Sequence, residues 1–201
     1  MSPVLALDAD GVLVDYVQGY AAAWKRAFGE RPPLKDPQGY GPLDRWDVPW
    51  LAGQAHARFR AQFDAAFWRS LPAMPGAVQA CHRLHAAGFE LVCVSAMDAA
   101  FEAARLECLR ASGFPIARVV AVPHGEGPQS PKAAAVQALG ARALVDDYAP
   151  YLRRLPPGVH PALIVRAGPG CPTVGQALAH AKSQHEDLAG FAGYWIEAGQ
   201  T

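Results

Sequence analysis

Short apolar runs alternate with stretches of helical period along most of the chain, the pattern of a parallel sheet covered by helices. PVLALDA (residues 3–9) reads as a first buried strand. PGAVQACHRLHAAG (75–88) reads as a helix, with Pro75 at its start, Val78, Cys81 and Leu84 along one side and Gly88 at its end. It delivers the strand FELVCVSA (89–96), and the unit then repeats. Asp98 is placed to cap a helix with Phe101, Arg105, Cys108 and Leu109 on one side, which ends at Gly113 and leads into ARVVAV (117–122). Ser130 and Pro131 open the next helix, which stops at Gly140 before ARALVDD (141–147). PALIVRAG (161–168) reads as a fifth strand and TVGQALAHAKSQHEDLAGF (173–191) as a C-terminal helix. Five strands with intervening helices predict an α/β fold with a doubly wound, mainly parallel sheet.

Residues 16–72 break that rhythm. They hold a helical pattern (Tyr20, Trp24, Ala27, Phe28), a Pro/Gly-rich connector and a second predicted helix carrying Phe59, Phe63 and Phe67. Eleven of the nineteen aromatic residues fall here, so this stretch has its own apolar content. Inserted after the first strand, it is expected to lie over the carboxyl edge of the sheet as a small helical cap, with residues 1–15 and 73–201 forming the core.

Composition narrows the function classes. Eighteen basic residues balance eighteen acidic ones, so no overall field favours a nucleic-acid polymer or a membrane surface, and any anion recognition must be local. Cys81, Cys93, Cys108 and Cys171 share no paired spacing, which favours a reducing, cytoplasmic setting. Asp8 arrives too early for a signal peptide, and no apolar run approaches membrane-spanning length. The composition is silent on oligomeric state.

Carboxylates at predicted strand ends carry the chemistry. Asp8 and Asp10 are two apart, the spacing at which strand residues share a face, and Asp146 and Asp147 close the strand ARALV. Parallel strands bring their carboxyl edges to one rim, where four carboxylates repel unless a cation relieves them. Such an oxygen-rich set suits Mg²⁺. Ser95 ends another strand, where its hydroxyl and the following N–H groups, beginning at Ala96, are placed to donate to an anion. Lys132 lies at a helix start, where a cation opposes the helix dipole, a conflict that points to a functional demand.

DADGV (8–12), Ser95 after an apolar strand, Lys132 and the acidic pair 146–147 resemble, in order and position, the four motifs of the haloacid dehalogenase (HAD) superfamily. The resemblance implies a Rossmann-like three-layer core and, from the insertion, a cap between the first two motifs. It implies Asp8 as the nucleophile that forms an aspartyl-phosphate and Asp10 as the general acid and base. Asp8, the Asp10 main-chain carbonyl and the acidic pair would hold Mg²⁺, with Asp147 preferred over Asp146 as direct ligand. Ser95 and Lys132 would bind the phosphoryl group. Members that cleave carbon–halogen bonds lack the second aspartate, so Asp10 points to phosphoryl chemistry on a small phosphorylated metabolite. Transfer to an acceptor other than water is the alternative within the superfamily. A non-catalytic phospho-accepting or ligand-sensing protein is the alternative outside it, although a receiver-type domain would place its acidic pair first and its lysine last.

FWRSLPAMPGAVQACHRLHAAGFELVCVSAMD (67–98) and GARALVDDYAPYL (140–152) resemble more loosely the 5'(3')-deoxyribonucleotidase branch, which makes a nucleoside monophosphate a candidate substrate. Tyr16, Tyr20, Trp24, Trp46 and Trp50 are then candidates to stack on a base, with core packing the competing role for each. Trp46, flanked by charges in the connector, is expected to face the pocket. Cys81, His82 and His85 have helical spacing but no second ligand pair, and Asp15 is expected to shape the junction with the cap.

Overall fold

The computed structural model describes residues 2–125, 127–166, 168–172 and 175–198. Within them the chain forms β1 (Val4–Leu7), α1 (Tyr16–Phe28), α2 (Pro42–Arg45), α3 (Gly53–Arg60), α4 (Ala65–Arg69) and α5 (Ala77–Ala86). There follow β2 (Glu90–Ala96), α6 (Glu102–Ala111), β3 (Ile116–Val122), α7 (Ala133–Ala138), β4 (Ala141–Asp146), β5 (His160–Ile164), β6 (Ser183–His185) and α8 (Leu188–Ala198). The six strands form one sheet in the order β3-β2-β1-β4-β5-β6, every neighbouring pair parallel. The order reverses at β1, between β2 and β4, and this is the switch point at which open α/β sheets bind ligands.

The period-2 alternation sorts the core into two layers. Leu5 and Leu7 of β1, Leu91 and Cys93 of β2 and Val145 of β4 face a cluster that takes in Cys81 and Leu84 of α5, Cys108 and Leu109 of α6 and Phe191 of α8. Ala6, Val92, Val94 and Leu144 face the other side, against Val136 of α7 and Leu152. Helices cover both faces because both faces are apolar.

The segment expected as a cap leaves and rejoins the core through a narrow neck. Asp15 N donates to Pro72 O (2.8 Å) and Met74 N to Leu13 O (2.8 Å), while Val14 and Ala73 form an antiparallel bridge. Asp15 caps α1, accepting from Gln18 N at 3.0 Å. The helix expected to carry Phe59, Phe63 and Phe67 is two helices. Asp64 accepts from Phe67 N (2.9 Å) and starts α4 afresh, because an aspartate offers the backbone a cap in place of a continued turn. Trp24, Phe59 and Phe67 join the same buried cluster as the strands, so the insertion is cored against the sheet-covering helices.

The C-terminal reading is corrected. Residues 173 and 174 lie outside the described residues, as does residue 167 of the fifth predicted strand. In place of one helix over 173–191 the chain has a 3₁₀ segment (Gly175–His180), the edge strand β6 and then α8. β6 is three residues, Ser-Gln-His, and pairs with β5 by position alone, too short to show a period. No helix among the described residues is long and apolar enough to cross a membrane.

Candidate active site

The carboxyl ends of β1, β2 and β4 meet at one cleft of about 190 Å³, lined by Asp8, Asp10, Ser95, Ala96, Asp146 and Asp147 from the sheet edge. Tyr16, Tyr40, Pro42, His124, Tyr148 and Arg166 are among the residues that line the rest of it. Asp8 follows β1 directly and extends its ladder, its N–H donating to Val145 O at 2.8 Å. Asp10 lies beyond the strand. The chain turns there, with Leu13 N and Val14 N both donating to Ala9 O (2.8 and 2.9 Å), so a turn and not the strand pleat brings Asp10 to the cleft.

Lys132 sits at the N-cap of α7, where Ser130 Oγ accepts from its backbone N at 3.1 Å. Its side chain is fully buried. It runs beneath the acids, with Nζ 2.5 Å from Asp8 Oδ1 and 2.7 Å from Asp146 Oδ2. Burial alone would lower its pKa; the Asp146 and Asp8 carboxylates outweigh burial and raise it, so the ammonium stays charged. The lysine that opposed the helix dipole is therefore held by two carboxylates.

Asp8, Asp146 and Asp147 are buried and can each offer an oxygen such that all three lie within 4.8 Å of one another. Burial pushes the Asp146 carboxyl up to about 8, with Asp8 and Asp147 adding repulsion and Lys132 opposing them. Asp147 is pushed up to about 7, again by burial, with Arg166 pulling the other way. Three hard oxygen donors faced by two cationic side chains, Lys132 and Arg166, could hold a divalent cation such as Mg²⁺. Asp146 spends Oδ1 on Tyr148 N (2.9 Å) and Oδ2 on Lys132, whereas Asp147 Oδ2 accepts from Arg166 Nη1 (2.9 Å) at the cleft wall.

The Asp10 side chain takes no part in that cluster. Its Oδ1 accepts from Arg105 Nη2 at 2.8 Å, and its side chain keeps 29 % of its surface in the cleft. Burial and the nearby Asp8 carboxylate raise its pKa above the ordinary value, although Arg105 and Lys132 oppose them. A carboxyl so placed holds a proton at higher pH than a free aspartate, as a general acid requires.

Trp46 is not at the cleft. It is 5 % exposed and packs with Val17 and Ala21, its Nε1 donating to Val17 O at 2.9 Å and Arg31 lying over its ring. Its ring staples the connector to α1. Of the other aromatic candidates, Tyr16 lines the cleft, Tyr20 and Trp50 line a neighbouring cavity of about 380 Å³, and Trp24 packs between Phe28 and Phe59. That cavity shares Tyr16 and Pro42 with the cleft.

Residues at or beside the cleft that escaped sequence reasoning include Arg105, Arg166, Tyr40, His124 and Tyr148. Arg166 Nη2 donates to Tyr40 O (3.2 Å) and its guanidinium lies over the Tyr40 ring, joining the end of β5 to the 29–52 connector. Only Arg105 left a trace, as a cation on the apolar side of its helix.

No protein-family model matches the sequence. A Bordetella bronchiseptica protein provisionally named 5'(3')-deoxyribonucleotidase is 33% identical over 95 residues, covering 46% of this chain and 49% of that protein. The chain thus matches about half the length of this curated relative. The structure of a HAD family hydrolase from Deinococcus radiodurans, with bound phosphate and sodium, superposes with a TM-score of 0.63 at 19% identity, over 98% of this chain and 96% of that one. A dehalogenase described with an intermediate complex superposes with a TM-score of 0.62 at 14% identity, over 96% of each chain. The fold is therefore the HAD-like α/β fold. Hydrolases and dehalogenases share it, so the reaction must be argued from the site.

Proposed function

We propose that this protein is a Mg²⁺-dependent phosphatase that hydrolyses a small phosphomonoester through an aspartyl-phosphate on Asp8. The observation that carries this reading is the division of labour between two aspartates in one cleft. Asp8 is held by a buried lysine beside two further carboxylates, and Asp10 is set apart from that cluster, paired with an arginine and biased toward its protonated form.

Asp8 attacks phosphorus as the bond to the leaving oxygen breaks, and Asp10 gives that oxygen its proton. In the second half Asp10 takes a proton from water as the water oxygen attacks phosphorus, the Asp8–phosphorus bond breaks and phosphate leaves. Lys132, fixed to Asp8 Oδ1, holds the nucleophile in orientation and offsets charge as the phosphoryl group arrives; Ser95 and Ala96 line the cleft where its oxygens would lie. Asp8, Asp147 and the Asp10 main-chain carbonyl would hold Mg²⁺, with Asp146 braced behind them by Lys132 and Tyr148. When bound, the ion neutralises the carboxylates and the transferring phosphoryl oxygens.

The segment 16–72 acts as the cap that sets specificity. A cleft that shares Tyr16 and Pro42 with a neighbouring aromatic cavity fits a phosphate on a flat, largely apolar alcohol, and the provisional name of the Bordetella relative makes a nucleoside monophosphate the first candidate. The test is phosphate release from an aryl phosphate and a panel of nucleotides and sugar phosphates, with Mg²⁺ and with chelator. Release that needs the metal and vanishes in Asp8→Asn is expected; full activity in Asp8→Asn overturns the assignment.

A further inference from the structure

Arg105 is 0 % exposed, and burying a guanidinium is costly unless its donors and charge are met. Here they are met in part. Nη2 donates to Asp10 Oδ1 at 2.8 Å, while Nε and Nη1 are buried with no hydrogen-bond partner. The planar group lies over the Trp68 ring, its Cζ 4.9 Å from the centroid, and Trp68 stacks in turn on Phe101 and Tyr16. A residue chosen for stability alone would not sit here, because an apolar side chain of similar volume would fill the space without two unmet donors. What only arginine supplies is a rigid, permanently charged donor at one fixed point, and that point is one oxygen of Asp10.

We infer that Arg105 is the positioning residue of the general acid: clamped on Trp68 of the inserted segment, it fixes the Asp10 carboxyl so that the rest of the group faces the leaving oxygen in the cleft. The inference rests on the phosphatase reading, since Asp10 has a leaving group to protonate only there. Arg105 sits on α6 and Trp68 on α4, so the clamp also makes the acid's orientation depend on how the insertion packs on the core. The route from Asp10 to the insertion is therefore two side chains long.

The leaving group separates positioning from mere structure. A leaving alkoxide needs the acid's proton far more than p-nitrophenolate does. Arg105→Met is expected to lose about 100-fold in kcat/KM on a simple alkyl phosphate, within the usual range of general acid catalysis, and only a few-fold on p-nitrophenyl phosphate. Arg105→Lys keeps the buried charge, and with it the fold, but not the planar fork; it is expected to show the same selectivity at about tenfold. In an Asp10→Asn background, replacing Arg105 should cost nothing further on either substrate. Equal losses on both substrates, an unchanged substrate ratio in folded Arg105→Lys, or an independent additional loss in the Asp10→Asn background would each overturn the inference. If the wild-type protein releases phosphate from neither ester, the phosphatase reading itself has failed.

Discussion

Gly11 packs directly against Asp147: a Cβ built on Gly11 would lie 2.1 Å from Asp147 Oδ2 and 2.5 Å from Arg166 Nη1, and the backbone there has φ +86°. A side chain at position 11 is thus opposed twice, by the left-handed backbone and by the acid it would displace. Gly11→Ala should destabilise the fold by about 1–3 kcal/mol from the backbone alone, read by urea unfolding, and should weaken Mg²⁺ binding besides.

The Lys132 ammonium is buried between Asp8 and Asp146. Lys132→Met leaves two buried carboxylates facing each other without a cation, a loss of about 3–5 kcal/mol by the usual cost of breaking a buried ion pair. Added Mg²⁺ should recover part of that loss, because it restores positive charge to the same carboxylates. Denaturant unfolding with and without the ion measures both effects.

Stability of the metal-free protein should fall as pH rises. Asp146 and Asp147 are pushed up to about 8 and about 7, so the folded chain binds their protons more tightly than the unfolded chain does. Their contribution is full below the ordinary carboxylate range, about 4, and is lost as pH climbs through about 7 and about 8. Metal binding displaces those protons, so the Mg²⁺-induced rise in Tm should be larger at pH 8 than at pH 6. A scan of Tm against pH, in chelator and in Mg²⁺, reads both slopes.

Arg166 already occupies Asp147 Oδ2 with a positive charge 2.9 Å away. Arg166→Met removes that competitor and should tighten Mg²⁺ binding by about tenfold, the scale of one partly screened charge pair, in titration calorimetry. The same change frees the Tyr40 carbonyl, so the connector from 29 to 52 should become more open to limited proteolysis.

Trp46 belongs to packing and not to recognition. Trp46→Phe keeps the ring in the Val17–Ala21 cluster but loses the bond to Val17 O, a cost of about 1 kcal/mol, with KM unchanged for every substrate tested. Trp50, 88 % exposed at the rim of the aromatic cavity, is the contrasting case: Trp50→Ala should leave stability unchanged.

The sequence by itself determined what depends on neighbours along the chain. Short apolar runs marked β1 to β5, helix stops followed from Gly88 and Gly140, and acids at strand ends placed Asp8, Asp146 and Asp147 on one rim, because parallel strands leave no other arrangement. What required the tertiary structure were the relationships set by distance in space. Three residues of β6 carry no period, and the break between α3 and α4 turns on one aspartate preferring a cap to a helix. Which oxygen Lys132 grips, that Arg166 reaches across 126 positions to Tyr40, and that Arg105 serves Asp10 from 95 positions away are all products of packing. Burial then decided the chemistry, since the same carboxylates in water would share one ordinary pKa, and only their shared, poorly solvated site drives Asp146 and Asp147 toward neutrality and makes a cation welcome.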